Sequence, residues 1–295
     1  MMDDQKYLKQ CQDIRESLSK PLHSQFRVIA ILLLQDGQTI VGSNDEPSHP
    51  GIAGSICAER AAFLRLRLWK DPAPIVAIYI VTDAGRACTP GMLCRQYMWG
   101  LIDPDDTRIV LQSCERDSDP LVLSLRQLYP YPSIYRGLGR DECVQLGEKL
   151  KDRVSNQWKH IAIPGLTTEQ VQALLECARA ATARDTRDAL HPIRYGAAAL
   201  LSDASFVSAS QLKSIEFGST LDPVCQMASS LVGGPPVVAV VVVDQFDVPH
   251  APFATGRSFL AEYGYEDAYC VVTKDEGEMA VVTVKNLHPY NPSLE

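Results

Sequence analysis

The sequence predicts an α/β protein built twice, with a mixed β-sheet flanked by helices in each half. Three observations carry that prediction. The aliphatic runs FRVIAILLL (26–34), PIVAIYIVT (74–82) and VVAVVVVD (237–244) are short and unbroken, as expected for strands buried on both faces. Stretches with apolar residues at helical spacing lie between them. The order of elements in the first half then returns in the second. With 295 residues, 46% of them hydrophobic, the chain can form one or two full cores.

A helix opens the first half, over Gln5–Ser19, because Leu8, Cys11, Ile14 and Leu18 share one face. FRVIAILLL pairs with TIVGSN (39–44) as a hairpin across Gln35, Asp36 and Gly37. The next helix starts near Cys57. Its basic residues, between Arg60 and Lys70, alternate with apolar ones and form a wet face. PIVAIYIVT is a buried strand. TPGMLCRQYMWGL (89–101) is a helix with Thr89 as N-cap and Pro90 at the first helical position. RIVLQS (108–113) adds a strand, and LSLRQLYPYPS (123–133) closes the unit.

The second half begins near Leu166. Thr167 and Gln170 fit a capping box ahead of an amphipathic helix through Ala183. YGAAALLSD (195–203), SFVSASQLKSIEFG (205–218), a helix near Cys225, VVAVVVVD and the helix ATGRSFLAEYG (254–264) follow. IVAIYIV from Ile75 matches VVAVVVV from Val237, 162 residues on. At the same spacing Pro90 falls on Pro252 and CRQYM on GRSFL, without a gap. Duplication explains this match across strand, loop and helix. The expected domains are residues 1–150 and 160–295, with the linker about Gly137–Pro164.

The formal charge is −8, and no dense Lys/Arg run offsets it, which argues against nucleic acid as a partner. The longest aliphatic run, Val237–Val243, is too short to span a bilayer. MMDDQKYLKQ lacks a signal peptide's apolar core. Nine scattered cysteines read as reduced thiols, and the expected location is cytoplasmic.

ICAERAAF (56–63) and ACTPGMLCRQYM (87–98) place cysteines at two helix starts. A helix N-terminus favours the thiolate, and thiolates bind zinc tightly. Three protein ligands leave a fourth tetrahedral position for water, whose pKa zinc lowers toward about 7. Glu59, two residues after Cys57, sits at the same helix end and can carry protons. Taken alone, Cys57 would be a core thiol and Glu59 a first-turn carboxylate; their combination favours the functional reading.

The combination resembles the zinc-dependent cytidine deaminases that act on free nucleosides. SQFRV (24–28) is similar to that family's S-x-F-x-V strand, and GSNDE (42–46) to its G-x-N-x-E segment. The likeness covers roughly Ser24–Tyr131. The second half follows more weakly, as in the tandem form of the family. The resemblance implies a three-layer cytidine-deaminase-like fold, duplicated in one chain. It also implies one Zn2+ per chain, in the N-terminal domain, with zinc-activated water attacking C4 of the pyrimidine. Glu59 would be catalytic, moving protons to N3 and to the leaving amine. Phe26, Asn44, Glu46 and Ala58 would line the nucleoside site, with Asn44 and Glu46 on the sugar hydroxyls. Cytidine or deoxycytidine would yield the uridine product and ammonia, in pyrimidine salvage. A homodimer would imitate a tetramer of single-domain units.

One departure matters. The family pattern is P-C-x-x-C, and here Pro90 is followed by Gly91. The metal set read from the sequence is Cys57, Cys88 and Cys94, with Cys88 in the vacated role. Two alternatives stay open: a site with only Cys57 and Cys94, and His49 as third ligand. In the second half Val224, Gln226, His250 and Gly256 stand at Cys57, Glu59, Cys88 and Cys94, so no catalytic zinc is expected there. YGAAALL and Ser214–Glu216 read as remnants of the pocket. Two rival functions remain: a non-catalytic nucleoside-binding scaffold that lost its metal, and a deaminase of RNA or single-stranded DNA. The second would need a basic groove and stacking aromatics.

Overall fold

A computed structural model describes residues 3–48, 54–215, 219–275 and 277–291 of the chain. By internal contacts the chain forms two units. One comprises the residues up to Tyr129 together with the stretch from Tyr290; the other is Pro130–Pro289.

In the first unit the elements run α1 (Asp4–Ser17), β1 (Val28–Leu34), β2 (Thr39–Ser43), α2 (Ala58–Leu66), β3 (Ile75–Thr82), α3 (Met92–Met98), β4 (Arg108–Gln112), β5 (Leu121–Leu123) and α4 (Leu125–Leu128). The sheet order is β2-β1-β3-β4-β5. β3 and β4 are parallel and the other neighbours antiparallel, so the sheet is mixed. Alternation sorts its side chains by face. Ile29, Ile31, Leu33, Ala77, Tyr79, Val81 and Val110 pack with Leu8 and Cys11 of α1. α2 packs on β1 and β2. Coverage on both faces explains why VIAILLL is apolar without interruption.

The second unit comprises α5 (Arg140–Trp158), α6 (Thr168–Thr182), β6 (Tyr195–Leu201), β7 (Phe206–Ser210), a 3-10 turn (Cys225–Met227), α7 (Ala228–Leu231), β8 (Val237–Asp244), β9 (Pro249–His250), α8 (Ala254–Glu262), β10 (Tyr269–Thr273), β11 (Met279–Thr283) and α9 (Val284–Leu287). Its sheet runs β11-β10-β8-β6-β7, the order of the first sheet element for element, with β9 added against β8. The register repeats in detail. Val28 faces Thr82 in one sheet and Tyr195 faces Asp244 in the other, and both ladders slip at the end, at Leu33/Leu34 and Leu200/Leu201. The fold is therefore mixed α/β and duplicated, as the sequence predicts.

Three local expectations are corrected. The stretch Gly137–Pro164, expected as linker, carries the 19-residue helix α5 of the second unit. Its buried Cys143, Gly147, Leu150, Val154 and Trp158 form a helical stripe, which anchors it to the sheet. The cap of α3 is Gly91 and not Thr89; the helix starts two residues later because Thr89 and Pro90 bind the side chain of Arg95. The expected helix near Cys225 is a 3-10 turn and a four-residue α7.

Candidate active site

Two helix starts build the site. Cys57 caps α2 in extended conformation, with its carbonyl already accepting from Ala61 N at 2.9 Å. α2 lies hard against β2 at Gly42. A Cβ there would stand 2.2 Å from the Ala58 carbonyl oxygen and 2.5 Å from Ala62 N, so only glycine lets the helix seat. Cys94 sits in the first turn of α3, after the cap Gly91.

The two starts bring together Cys57, Glu59 and Cys94. One potential ligand atom from each lies within 4.8 Å of the others. Among the described residues this is the one such cluster of three. Cys94 and Glu59 are buried and Cys57 is half-buried. Hydrogen bonding from Cys94 pulls the Cys57 thiol well below its ordinary pKa, and Arg60 helps, against the opposing effect of burial. Arg60 Nη2 lies 3.6 Å from Cys57 Sγ, one helical turn away. Cys94, the donor of the pair, is pushed far upward by that bond and by burial. The pair therefore favours an anion on Cys57. Burial, then the Cys57 charge, raises the Glu59 carboxyl to about 7.

Cys88 falls outside the cluster. It precedes α3 by four residues, its Sγ lies 3.8 Å from the Thr89 carbonyl, and burial raises its pKa. The group that the geometry places beside the two sulfurs is the Glu59 carboxylate. His49 lies outside the described residues. At Gly91, φ −64° and ψ 159° suit any L-residue, and a Cβ would meet nothing within 4 Å.

The segment after β2 reaches Cys57 through a paired bridge: Asp45 and Ile56 exchange both backbone hydrogen bonds at 3.0 Å. Asn44 and Glu46 flank that bridge. Asn44 uses both ends of its amide on the backbone, accepting from Val28 N and donating to the Phe26 carbonyl, each at 2.8 Å. Glu46 accepts from His23 N and Ser24 N, and those bonds, Ser24 foremost, hold its carboxyl low. Together they fix the course of residues 23–28 and so the half-buried Phe26. Ala58 is fully buried at the first position of α2.

Sequence reasoning missed two groups. Arg60 was legible, since it follows Glu59 directly and sits one turn from Cys57. Asp222 in the second unit was not. Its buried carboxylate accepts from Val224 N at 2.6 Å and from Phe253 N, the cap of α8, at 2.9 Å. A Cβ on Gly256 would stand 2.7 Å from Asp222 Oδ1. One buried carboxyl group therefore serves the helix starts that correspond to those of α2 and α3. His250 pairs with Asp244 at 3.0 Å, and buried Gln226 Nε2 has no hydrogen-bond partner among the described residues. Of the expected pocket remnants, Glu216 lies outside the described residues. The bridge Leu212–Leu221 corresponds to Asp45–Ile56, so Gln211 and Lys213 hold the positions equivalent to Asn44 and Glu46.

A buried acid and paired sulfurs meet at two helix starts on a β2-β1-β3-β4-β5 sheet, a donor set that could hold a metal ion. No family model matches the chain. A cytidine deaminase of Halalkalibacterium halodurans is 35% identical over 123 residues, 42% of this chain and 89% of that one. The cytidine deaminase structure from Burkholderia pseudomallei is 28% identical, with a TM-score of 0.39 over 45% of this chain and 100% of that one. The cytidine deaminase structure from Mycobacterium leprae is 24% identical, with a TM-score of 0.36 over 44% and 99%. On the sequence relationship, the chain belongs to the cytidine deaminase family.

Proposed function

We propose that the first unit is a zinc-dependent enzyme that hydrolyses the exocyclic C–N bond of cytidine or deoxycytidine, giving the uridine product and ammonia. The cluster of Cys57, Glu59 and Cys94 at two converging helix starts carries this reading. Its donor chemistry fits zinc, which takes thiolates and carboxylates in four-coordinate sites. Cys57 and Cys94 would hold the ion, with the Glu59 carboxylate within reach of it. Zinc held there would lower the pKa of a water ligand toward neutrality. Arg60 balances the charge of the Cys57 thiolate. Glu59, poised at about 7, takes a proton from the attacking water, delivers it to N3 of the base and then assists departure of the amine. Phe26 borders the base, and Asn44 and Glu46 set the edge where the sugar hydroxyls lie. A free nucleoside as substrate, pyrimidine salvage, a cytoplasmic setting and a homodimer complete the proposal. Among the described residues, no helix is long and apolar enough to cross a membrane. The second unit serves as a scaffold without catalytic zinc, a role supported by the Asp222 carboxylate against Gly256.

Glu59→Gln tests the assignment. Cytidine turnover is expected to fall by about 10²–10⁴-fold, with zinc content, read by elemental analysis, unchanged. Full turnover in the variant overturns the mechanism, and loss of zinc makes Glu59 a ligand instead. A second reading, a nucleoside-binding scaffold without metal, is favoured by one observation: Cys88 stands outside the cluster and Gly91 offers no side chain. Zinc-replete wild-type protein that neither retains the ion nor turns over cytidine would establish that reading.

A further inference from the structure

Arg95 is fully buried, beside Cys94, and its guanidinium donates to backbone and hydroxyl oxygens. Nε donates to the Pro90 carbonyl at 2.6 Å, and Nη1 to the Leu128 carbonyl at 2.7 Å. Nη2 donates to Thr89 Oγ1 at 2.8 Å and to the Tyr290 carbonyl at 3.0 Å. The Thr89 hydroxyl in turn donates to the same Tyr290 carbonyl, at 2.5 Å. One carbonyl nearly 200 residues away in sequence thus accepts from both groups that shape the turn into α3. Tyr290 reaches it with φ at +52°, in the left-handed region.

The second unit repeats the device. Arg257 donates from Nε to the Pro252 carbonyl at 2.8 Å, and from Nη1 to Leu287 at 3.2 Å and to Pro130 at 2.7 Å. Its Nη2 donates to the Tyr131 carbonyl at 2.6 Å. Tyr131 has φ +51°. The motif is Leu-x-Pro-Tyr in both places, Leu128 to Tyr131 and Leu287 to Tyr290. In sequence, each motif begins at the end of a terminal helix, α4 or α9, yet its tyrosine belongs to the other unit.

We propose that the Leu287–Tyr290 segment is a strap whose last residue completes the catalytic unit, and that the Tyr290 carbonyl is a positioning group for Cys94. The carbonyl holds Arg95 and Thr89, those two hold the turn Thr89–Gly91, and that turn sets the start of α3 where Cys94 sits. A buried guanidinium that loses an acceptor must find another, and the backbone within its reach is this turn. The functional weight of the strap rests on Cys94 being a site residue, but the test reads the protein alone.

Proline cannot adopt positive φ and glycine can, so the pair Tyr290→Pro and Tyr290→Gly separates backbone placement from loss of the ring. The readout is hydrogen–deuterium exchange in the full-length protein. In Tyr290→Pro, peptides covering 88–98 are expected to exchange at least tenfold faster, with peptides covering 250–260 unchanged. Tyr290→Gly should stay within about twofold of wild type over 88–98. Tyr131→Pro should show the opposite distribution, loosening 250–260 alone. Thr89→Val, which removes one of the two donors without touching the strap, should loosen 88–98 to a smaller extent. Unchanged exchange over 88–98 in Tyr290→Pro, or equal behaviour of the proline and glycine variants, overturns the proposal. So does a global rise in exchange in Tyr290→Pro when Thr89→Val leaves 88–98 as in wild type. Failure of cytidine turnover would overturn the proposed activity and leave this result standing.

Discussion

At the residue scale, the site divides charge between like groups. Of two cysteines side by side, Cys57 is shifted toward the thiolate by its neighbour Cys94 and by Arg60, and Cys94 is shifted toward the thiol. That anion, with burial, keeps a proton available on Glu59 near neutral pH. The sequence put Cys57 and Glu59 on one helix start by simple adjacency, and the structure agrees. Spacing could not decide between Cys88 and its rivals, since five residues separate Cys88 from Cys94 and the turn among them, Thr89–Gly91, is shaped by Arg95. Cys88→Ser is expected to leave zinc content and cytidine turnover near wild type, whereas Cys94→Ser lowers both. A loss of zinc in Cys88→Ser would return that cysteine to the ligand set.

The element scale turns on how α2 is seated. Gly42 removes the side chain that would otherwise lift the helix off β2, and with it Cys57 and Glu59. Gly42→Ala is expected to cost about 1–3 kcal/mol of unfolding free energy, by overpacking, and to lower turnover more than a surface change of similar size. Urea denaturation read beside activity checks both, and wild-type stability would mean that the contact yields freely. Strands were legible from unbroken aliphatic runs. α5 was legible too, in the stripe Cys143–Gly147–Leu150–Val154–Trp158, but the duplicated pattern has no counterpart to it and drew the segment toward linker. The start of α3 was not legible. Thr-Pro is a good local opening for a helix, and a tertiary demand from Arg95 overrode it.

Across the whole molecule, duplication has kept the sheets and changed the chemistry at the helix starts. The first unit presents a thiolate there; the second presents Asp222. Burial raises that carboxyl to about 6 from an ordinary 3.8. Folding therefore favours its protonated form. The resulting stability is fully present below about pH 4 and is lost as pH rises through about 6, a span of about 3 kcal/mol at 1.4 kcal/mol per unit. In Asp222→Asn this slope should vanish, although the variant is less stable throughout because an amide cannot accept from both Val224 N and Phe253 N. Thermal midpoints of the two proteins between pH 4 and 7 provide the check. Parallel curves would remove Asp222 as the source.

The sequence by itself determined the duplicated α/β plan, the strands, the family, and the pairing of a cysteine with a carboxylate at one helix start. These follow from periodicity and adjacency, which act over a few residues. Only the tertiary structure brought Cys94 to Cys57 and Glu59, placed Asp222 at the corresponding helix starts of the second unit, and closed Tyr290 on Arg95. Those outcomes depend on groups far apart in sequence meeting in a buried place. There each donor must find an acceptor and each charge a partner, and no local pattern records which ones meet.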